Sequence, residues 1–121
     1  MGWDIDLLVD GKPAQVEPHE TGSIRVAKMV DGDLVPTSTC DATCCLTYNY
    51  SRLYSLAGFN LREMNGKKAS DTISDMESVV EKLGTRKDDD YWKDTPGNAG
   101  AGLAQLLSWA KQCPDGIWEI L

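Results

Sequence analysis

The sequence has little positive charge, a single histidine and no long apolar run, and each of these shortages excludes a class of function. Its 12 lysine and arginine residues stand against 19 acidic residues, a net charge of -7. This balance argues against non-specific nucleic-acid binding and against binding to an anionic membrane surface. No apolar run approaches the length that spans a bilayer. The first residues also lack a basic segment followed by an apolar one, so we expect no secretory signal.

The motifs of common enzyme classes are missing as well. The sequence contains no metalloprotease motif, no phosphate-binding P-loop and no nucleophile elbow. His19 is the only histidine, and it lies among turn-forming residues, where we expect a solvated loop. The glycines of 97–102 precede a helix without the strand and spacing of a dinucleotide fingerprint. We therefore expect a protein that is not an enzyme.

The four cysteines do not form a recognisable metal site. They are Cys40, Cys44, Cys45 and Cys113. Their spacing matches no common zinc pattern, and adjacent cysteines on a strand point to opposite faces of the sheet. Reduced thiols are the default in a chain that has no secretory signal. We therefore expect buried thiols, with no metal and no cofactor.

The apolar pattern predicts an α+β fold in which 1–121 form a single domain. Region 1–47 is predicted to form β-hairpins, because apolar and polar residues alternate from Trp3 to Leu7. Asp10-Gly11 is a strong signal for a two-residue hairpin turn, and Pro13 predicts an edge strand after it. Residues 24–29 and 43–47 are predicted to form further strands.

The second half of the chain is predicted to contribute three helices and one strand. In the helical region, 48–113, a short helix around Leu53 ends at Gly58, and a second presents an apolar face from Ile73 to Leu83. The third follows the glycine-rich stretch and is amphipathic. Residues 117–121 are predicted to form a final strand that rejoins the sheet. Strands grouped before helices favour α+β, a small antiparallel sheet packed with three helices.

The start of the third helix allows two interpretations. Asn98 is predicted to be its N-cap, because its side chain can accept from the amides of the first turn. Gly97, Gly100 and Gly102 would leave those amides open to an approaching anion. The alternative is that the glycines only permit close packing of the helix on a neighbour.

Two aromatic and polar clusters are candidates for a binding site. The candidate residues are Tyr48, Asn49, Tyr50 and Arg52 in the first cluster, and Tyr91, Trp92, Asn98 and Gly100 in the second. Tyr54 also belongs to the first cluster. Tyrosine and tryptophan offer flat faces for a base, and the side-chain amide of Asn49 offers both donors and an acceptor. Arg52 and the helix amides could hold a phosphate. The alternative is that the tyrosines complete a hydrophobic core.

From Cys44 to Ile120 the chain resembles a family of small, largely uncharacterised proteins encoded by phages and prophages. The matching residues are Leu46-Thr47-Tyr48-Asn49-Tyr50-Ser51, Ala57-Gly58, Asn65-Gly66-Lys67, Tyr91-Trp92, Thr95-Pro96-Gly97-Asn98-Ala99, Leu103, Leu106-Leu107-Ser108-Trp109-Ala110-Lys111 and Pro114-Asp115. The family brings no established activity. The resemblance implies a phage accessory protein in the cytoplasm of an infected bacterium.

These observations lead to a hypothesis and two alternatives. The hypothesis is a non-catalytic homo-oligomer that binds and sequesters a small nucleotide-type signalling molecule of bacterial defence. The first alternative is an acidic inhibitor or decoy that binds a basic host protein, with 88–90 as part of the decoy. The second is an enzyme that cleaves the same signal, which would need His19 or a carboxylate near the pocket.

Overall fold

The computed structural model describes residues 2–17, 27–30, 32–36, 40–86, 89–90 and 93–121. The strands are β1 (Gly2–Val9), β2 (Lys12–Pro13), β3 (Gln15–Val16), β4 (Ala27–Val30), β5 (Asp33–Pro36), β6 (Cys40–Asp41), β7 (Thr43–Thr47) and β8 (Ile117–Ile120). The α-helices are α1 (Ser51–Leu56), α2 (Ile73–Leu83) and α3 (Pro96–Gln112), with 3-10 turns at Tyr48–Tyr50, Leu61–Met64 and Ala69–Asp71. The predicted α+β class is confirmed.

Strand β1 is the centre of the main sheet, and all of its partners are antiparallel to it. It pairs with β8 on one side, and with β7 and β2 on the other. The alternation predicted for β1 is confirmed, because Trp3, Ile5 and Leu7 are all buried. The hairpin turn is also confirmed: Asp10 and Gly11 have φ values of 55° and 77°, which a two-residue hairpin turn requires.

Two shorter antiparallel pairs accompany the main sheet. Strand β3 pairs with β6, and β4 pairs with β5. The predicted strand at 24–29 overlaps β4 in its last three residues, 27–29. Its earlier part and the loop with His19 lie outside the described residues.

The outer edge of β8 is covered by the segment 65–70. Within it the Gly66 amide donates to the Trp118 carbonyl at 2.8 Å, and the Trp118 amide donates to the Lys67 carbonyl at 3.0 Å. The side-chain oxygen of Asn65 accepts from the Ile120 amide at 2.8 Å. The final strand therefore rejoins the sheet as predicted, and it is hydrogen-bonded along both of its edges.

Helix α3 is buried over most of its surface, not along one face alone. Its buried residues are Asn98, Ala99, Gly100, Ala101, Leu103, Ala104, Gln105, Leu106, Leu107, Trp109 and Ala110. Helix α2 packs along it, and an ion pair of 3.0 Å joins Glu77 of α2 to Lys111 of α3. The prediction of a simple amphipathic helix was therefore incomplete, because this helix is a central part of the core.

The N-cap of this helix lies three residues earlier than predicted. Thr95 is the N-cap, and its hydroxyl accepts from the Asn98 amide at 3.1 Å. Pro96 occupies the first helical position, where its fixed φ suits the helix and its missing amide costs nothing. The prediction that Asn98 caps the helix was wrong, because Asn98 is already inside the first turn.

Candidate functional site

A groove of about 360 Å³ opens between the start of β1 and helix α1. The residues that line it are Trp3, Ser51, Arg52, Tyr54, Ser55, Phe59, Asn60 and Leu61. Its floor consists of buried side chains, among them three aromatic rings. Its rim consists of four exposed polar residues, of which only Arg52 is charged. An apolar floor with a few polar groups at the rim is typical of small-molecule sites.

The groove forms because the start of β1 lies beside the end of β7. Trp3 pairs with Leu46 in the ladder, and the chain turns directly after Thr47 toward α1. The hydroxyl of Thr47 accepts from the Asn49 amide at 3.2 Å and fixes this turn. The Tyr48 ring then packs edge-on against Trp3, with centroids 5.0 Å apart and an interplanar angle of 88°.

The aromatic floor is a connected set of ring contacts around Tyr54. Its ring lies 6.1 Å from Trp3 and 5.9 Å from Phe59, measured between centroids. The contact with Phe59 is edge-to-face at 89°, a favoured arrangement of two aromatic rings. The Phe59 amide also donates to the Tyr54 carbonyl at 2.8 Å, which holds the chain close after α1 ends. These contacts connect the three rings of the floor to one another through Tyr54.

The first predicted cluster meets the first turns of α3. The Tyr54 hydroxyl donates to the Ala99 carbonyl at 2.8 Å. A Cβ added to Gly102 would lie 2.9 Å from Leu46 and 3.8 Å from Tyr50, so α3 lies directly against both residues. Tyr50 is fully buried. Core packing, the alternative offered for the tyrosines, accounts for Tyr50.

The glycines of α3 permit close packing against the chain that follows α2. A Cβ added to Gly100 would lie 1.7 Å from the Gly84 carbonyl oxygen, and one added to Gly97 would lie 1.8 Å from that of Arg86. The Asn98 side chain donates to the carbonyls of Asp90 and Lys93, both at 2.9 Å. Because the protein itself fills this surface, Asn98 and Gly100 do not belong to the candidate groove.

The other predicted site residues fall in three places. Arg52 lines the groove. Tyr48 and Asn49 are exposed on the turn that precedes α1, beside the groove and not among its lining residues. Tyr91 and Trp92 lie outside the described residues, as does Asp88. The structure therefore joins Arg52 to a floor that the sequence did not identify.

The sequence placed Tyr54 in the first cluster but did not identify the other two rings of the floor, Trp3 and Phe59. Trp3 is predicted only as part of the first strand. Phe59 is the single phenylalanine of the chain, which is a weak signal by itself. A stronger signal would need the pairing of β1 with β7, and no local pattern reveals that pairing.

A second groove, of about 240 Å³, adjoins the first and shares Phe59 and Asn60 with it. Its charged lining residues are Glu63, Lys67, Asp75 and Lys82. The ammonium group of Lys82 lies 3.4 Å from the Ala57 carbonyl at the end of α1. The two lysines and two carboxylates balance, so this groove is polar without net charge.

The cysteines differ in exposure. Cys44 is partly buried, and burial raises the pKa of its thiol to about 12, with the neighbouring Cys45 and Asp6 acting in the same direction. Cys45 is exposed, so the expectation of buried thiols is wrong for this residue. Adjacent strand residues face opposite sides, which explains the difference. Across the described ranges, no group of three or more histidine, cysteine or acidic residues could hold a metal ion.

No family model, curated protein or solved structure matches this chain. The resemblance to phage and prophage proteins therefore stays a prediction. Among the residues that the structure describes, no helix has the length and apolar character to cross a membrane. A function has to be inferred from the groove itself.

Proposed function

We propose that this chain is a non-catalytic binding protein that takes up a small nucleotide-type molecule in the groove between β1 and α1. The single observation that carries the proposal is the combination of an aromatic floor with Arg52 at the rim. Aromatic rings suit the ring of a base, and a guanidinium suits a phosphate because it donates two parallel hydrogen bonds. The hydroxyls of Ser51 and Ser55 flank Arg52 on the same helix and add further donors.

The lining residues support binding without turnover. The described lining residues include no histidine, cysteine, aspartate or glutamate, the side chains that most often act as general base or nucleophile. Among these described residues the two serines have no base that would activate their hydroxyls for attack. Binding without chemistry is the property that a sequestering protein needs.

The proposed biological role is to withhold a signalling nucleotide of bacterial defence during phage infection. This role combines the groove with the resemblance to phage and prophage proteins. We further propose a homo-oligomer, because a groove at a subunit interface would enclose more of the ligand than a groove open to solvent. Each protomer would contribute its own groove.

Native mass spectrometry of the purified protein tests this proposal. The protein is incubated with a small-molecule extract of bacteria whose nucleotide-signalling defence is active, and separately with defined nucleotides. We expect a discrete added mass that is released unchanged on denaturation, and the mass of the complex gives the oligomeric state. A released molecule of altered mass would favour the enzyme alternative. An unchanged apo mass under all conditions would contradict the proposal.

Arg52→Gln is the matching variant, with Arg62→Gln as its control. Both arginines are exposed, and Arg62 does not line the groove. We expect Arg52→Gln to weaken binding about tenfold or more, since hydrogen bonds to charged groups are the stronger ones. Arg62→Gln should bind like the wild type. Both variants should melt close to the wild type, because exposed substitutions cost about 0.5 kcal/mol or less.

A second candidate function is the acidic decoy for a basic host protein. Asp89 and Asp90 are both exposed, which favours it. Replacing both by asparagine should weaken the binding of such a basic protein and leave nucleotide binding unchanged. Arg52→Gln should have the opposite pattern, so the pair of variants separates the two functions.

A further inference from the structure

Among the residues that the structure describes, the groove is lined by one positive side chain and no negative one. The positive side chain is that of Arg52. Its neighbours at the rim, Ser51, Ser55 and Asn60, are neutral hydrogen-bonding residues. Such a rim can neutralise one anionic group and can hydrogen-bond its remaining oxygens.

The adjoining groove offers no further attraction for an anion. It shares Phe59 and Asn60 with the first groove, so a longer ligand would have to extend into it. Its lysines, Lys67 and Lys82, are matched by two carboxylates that line the same groove, Glu63 and Asp75. A second phosphate placed there would meet equal numbers of positive and negative groups.

The remaining charge of the protein opposes further negative charge on the ligand. The net charge is -7, and the summed field of a protein acts on a ligand beyond its direct contacts. At physiological ionic strength this repulsion is screened beyond about 8 Å, so the acidic groups that act on a ligand are those near the groove, such as Glu63 and Asp75 of the adjoining groove. A second phosphate would therefore meet these carboxylates as well as Lys67 and Lys82, with no net positive charge to hold it.

The size of the groove also favours a small ligand with one phosphate. Its volume of about 360 Å³ lies near the lower end of the range of about 300–1,000 Å³ that is usual for ligand pockets. A groove of this volume can hold one ring system, one sugar and one phosphate. A dinucleotide would leave much of its surface in water.

From these four observations we infer that the groove selects a ligand with one aromatic ring system and one anionic group, namely a nucleoside monophosphate or a cyclic mononucleotide. This inference rests on the proposed function and narrows it. Triphosphates and cyclic dinucleotides, which carry more charge or a second base, are discriminated against. The ring contacts the small parts of Trp3 and Phe59 that reach the surface, 7% and 9% of each residue, and the phosphate accepts hydrogen bonds from Arg52.

Isothermal titration calorimetry of the full chain with defined compounds tests the inference. The series is adenosine, 5′-AMP, 3′,5′-cyclic AMP, ATP and cyclic di-AMP, repeated with the corresponding guanine, cytosine and uracil compounds. In at least one base series we expect a mononucleotide to bind about tenfold more tightly than its nucleoside. The triphosphate and the dinucleotide should bind no more tightly than the mononucleotide.

The outcomes of this titration distinguish a failure of the inference from a failure of the proposed function. Tighter binding of a triphosphate or cyclic dinucleotide would overturn the inference and leave the proposed function standing. Absence of binding in all four base series would overturn both. Equal affinities for the nucleoside and the mononucleotide would show that Arg52 does not bind the phosphate, and would overturn the inference.

The affinities of the variant Arg52→Gln for the mononucleotide and the nucleoside distinguish a contact with the phosphate from a purely structural role of Arg52. The substitution should lower the affinity for the mononucleotide to that for the nucleoside, while the affinity for the nucleoside itself stays unchanged. An equal loss for both compounds would contradict a contact with the phosphate. Arg62→Gln, outside the groove, should preserve the tenfold preference.

Discussion

The hydroxyl of Tyr54 donates a hydrogen bond to the backbone carbonyl of Ala99 at 2.8 Å, and this bond joins α1 to the first turns of α3. Both residues are buried. We predict that Tyr54→Phe lowers the free energy of unfolding by about 1 kcal/mol, because it removes one buried hydrogen bond and keeps the ring. Urea denaturation measures this loss.

Comparing Tyr54→Ala with Tyr54→Phe separates the contribution of the ring to stability from that of the hydroxyl. Tyr54→Ala removes the contacts with Trp3 and Phe59 as well, so we expect a loss of about 3–5 kcal/mol, the usual cost of truncating a buried aromatic residue. Equal stability of Tyr54→Phe and the wild type would show that the bond to Ala99 contributes nothing measurable.

Gly100→Ala tests the close packing of α3. In a free helix this substitution stabilises by about 1 kcal/mol. Here the new methyl group would lie 1.7 Å from the Gly84 carbonyl oxygen, so we expect a net loss of about 2 kcal/mol or more because the backbone must move. Thermal and urea unfolding show whether Gly100→Ala raises or lowers the free energy of unfolding.

Gly102→Ala is the matched control in the same helix. The three atoms nearest to its methyl group would all belong to side chains, and the nearest of them is on Leu46, at 2.9 Å. Because a side chain can turn away, we expect a much smaller loss than for Gly100→Ala. A stabilised Gly100→Ala would contradict the packing account and reopen the anion interpretation.

Thr72 links the indole of Trp118 to the turn before α2. Its hydroxyl accepts from Trp118 Nε1 at 2.9 Å and donates to the Ala69 carbonyl at 2.8 Å. We predict that Thr72→Val costs about 1–3 kcal/mol, because the buried indole N–H loses its partner. Thr72→Ser keeps the hydroxyl and should recover most of that loss. Equal destabilisation by both variants would assign the effect to packing.

Cys44 makes stability fall at alkaline pH. Its thiol pKa is raised from 9.0 to about 12 in the folded chain. Between these values the unfolded chain loses the proton and the folded chain keeps it, so stability falls as pH rises, by about 1.4 kcal/mol per pH unit. Cys44→Ala should make the decline between pH 9 and 11 shallower in urea unfolding. An unchanged slope would contradict the raised pKa.

Alkylation gives a second test of the two adjacent cysteines. Cys45 is exposed and Cys44 is partly buried. We expect iodoacetamide to modify Cys45 faster than Cys44 in the native protein at pH 8, because the thiolate is the reactive form and Cys44 remains a thiol. Tandem mass spectrometry of the peptide resolves the two sites, and Cys45→Ser should remove the fast reaction.

Local patterns predicted most of the secondary structure. Alternation identified β1, and Asp10-Gly11 identified its hairpin, because both are properties of neighbouring residues. The cap of α3 was misplaced even though the needed signal was local. Thr95 followed by Pro96 is a typical helix start, since proline favours the first helical position.

The groove was beyond sequence reasoning for a physical reason. Its floor combines Trp3 with Tyr54 and Phe59, and Trp3 meets the other two rings only because β7 returns beside β1. Strand pairing between distant segments leaves no trace in local periodicity. The glycines of α3 posed a similar problem, because a bare helix face suits an anion and a neighbouring backbone equally well. Only the position of Gly84 decides between them.

The pairing of Ile5 with Ile120 has a consequence for how this protein is made. The central strand of the sheet is synthesised before β8, and it lacks this partner until the whole intervening chain has been made. Contacts between residues this far apart in sequence are slow to form, because the intervening chain must first lose its freedom. The complete sheet therefore closes only after β8 has been synthesised.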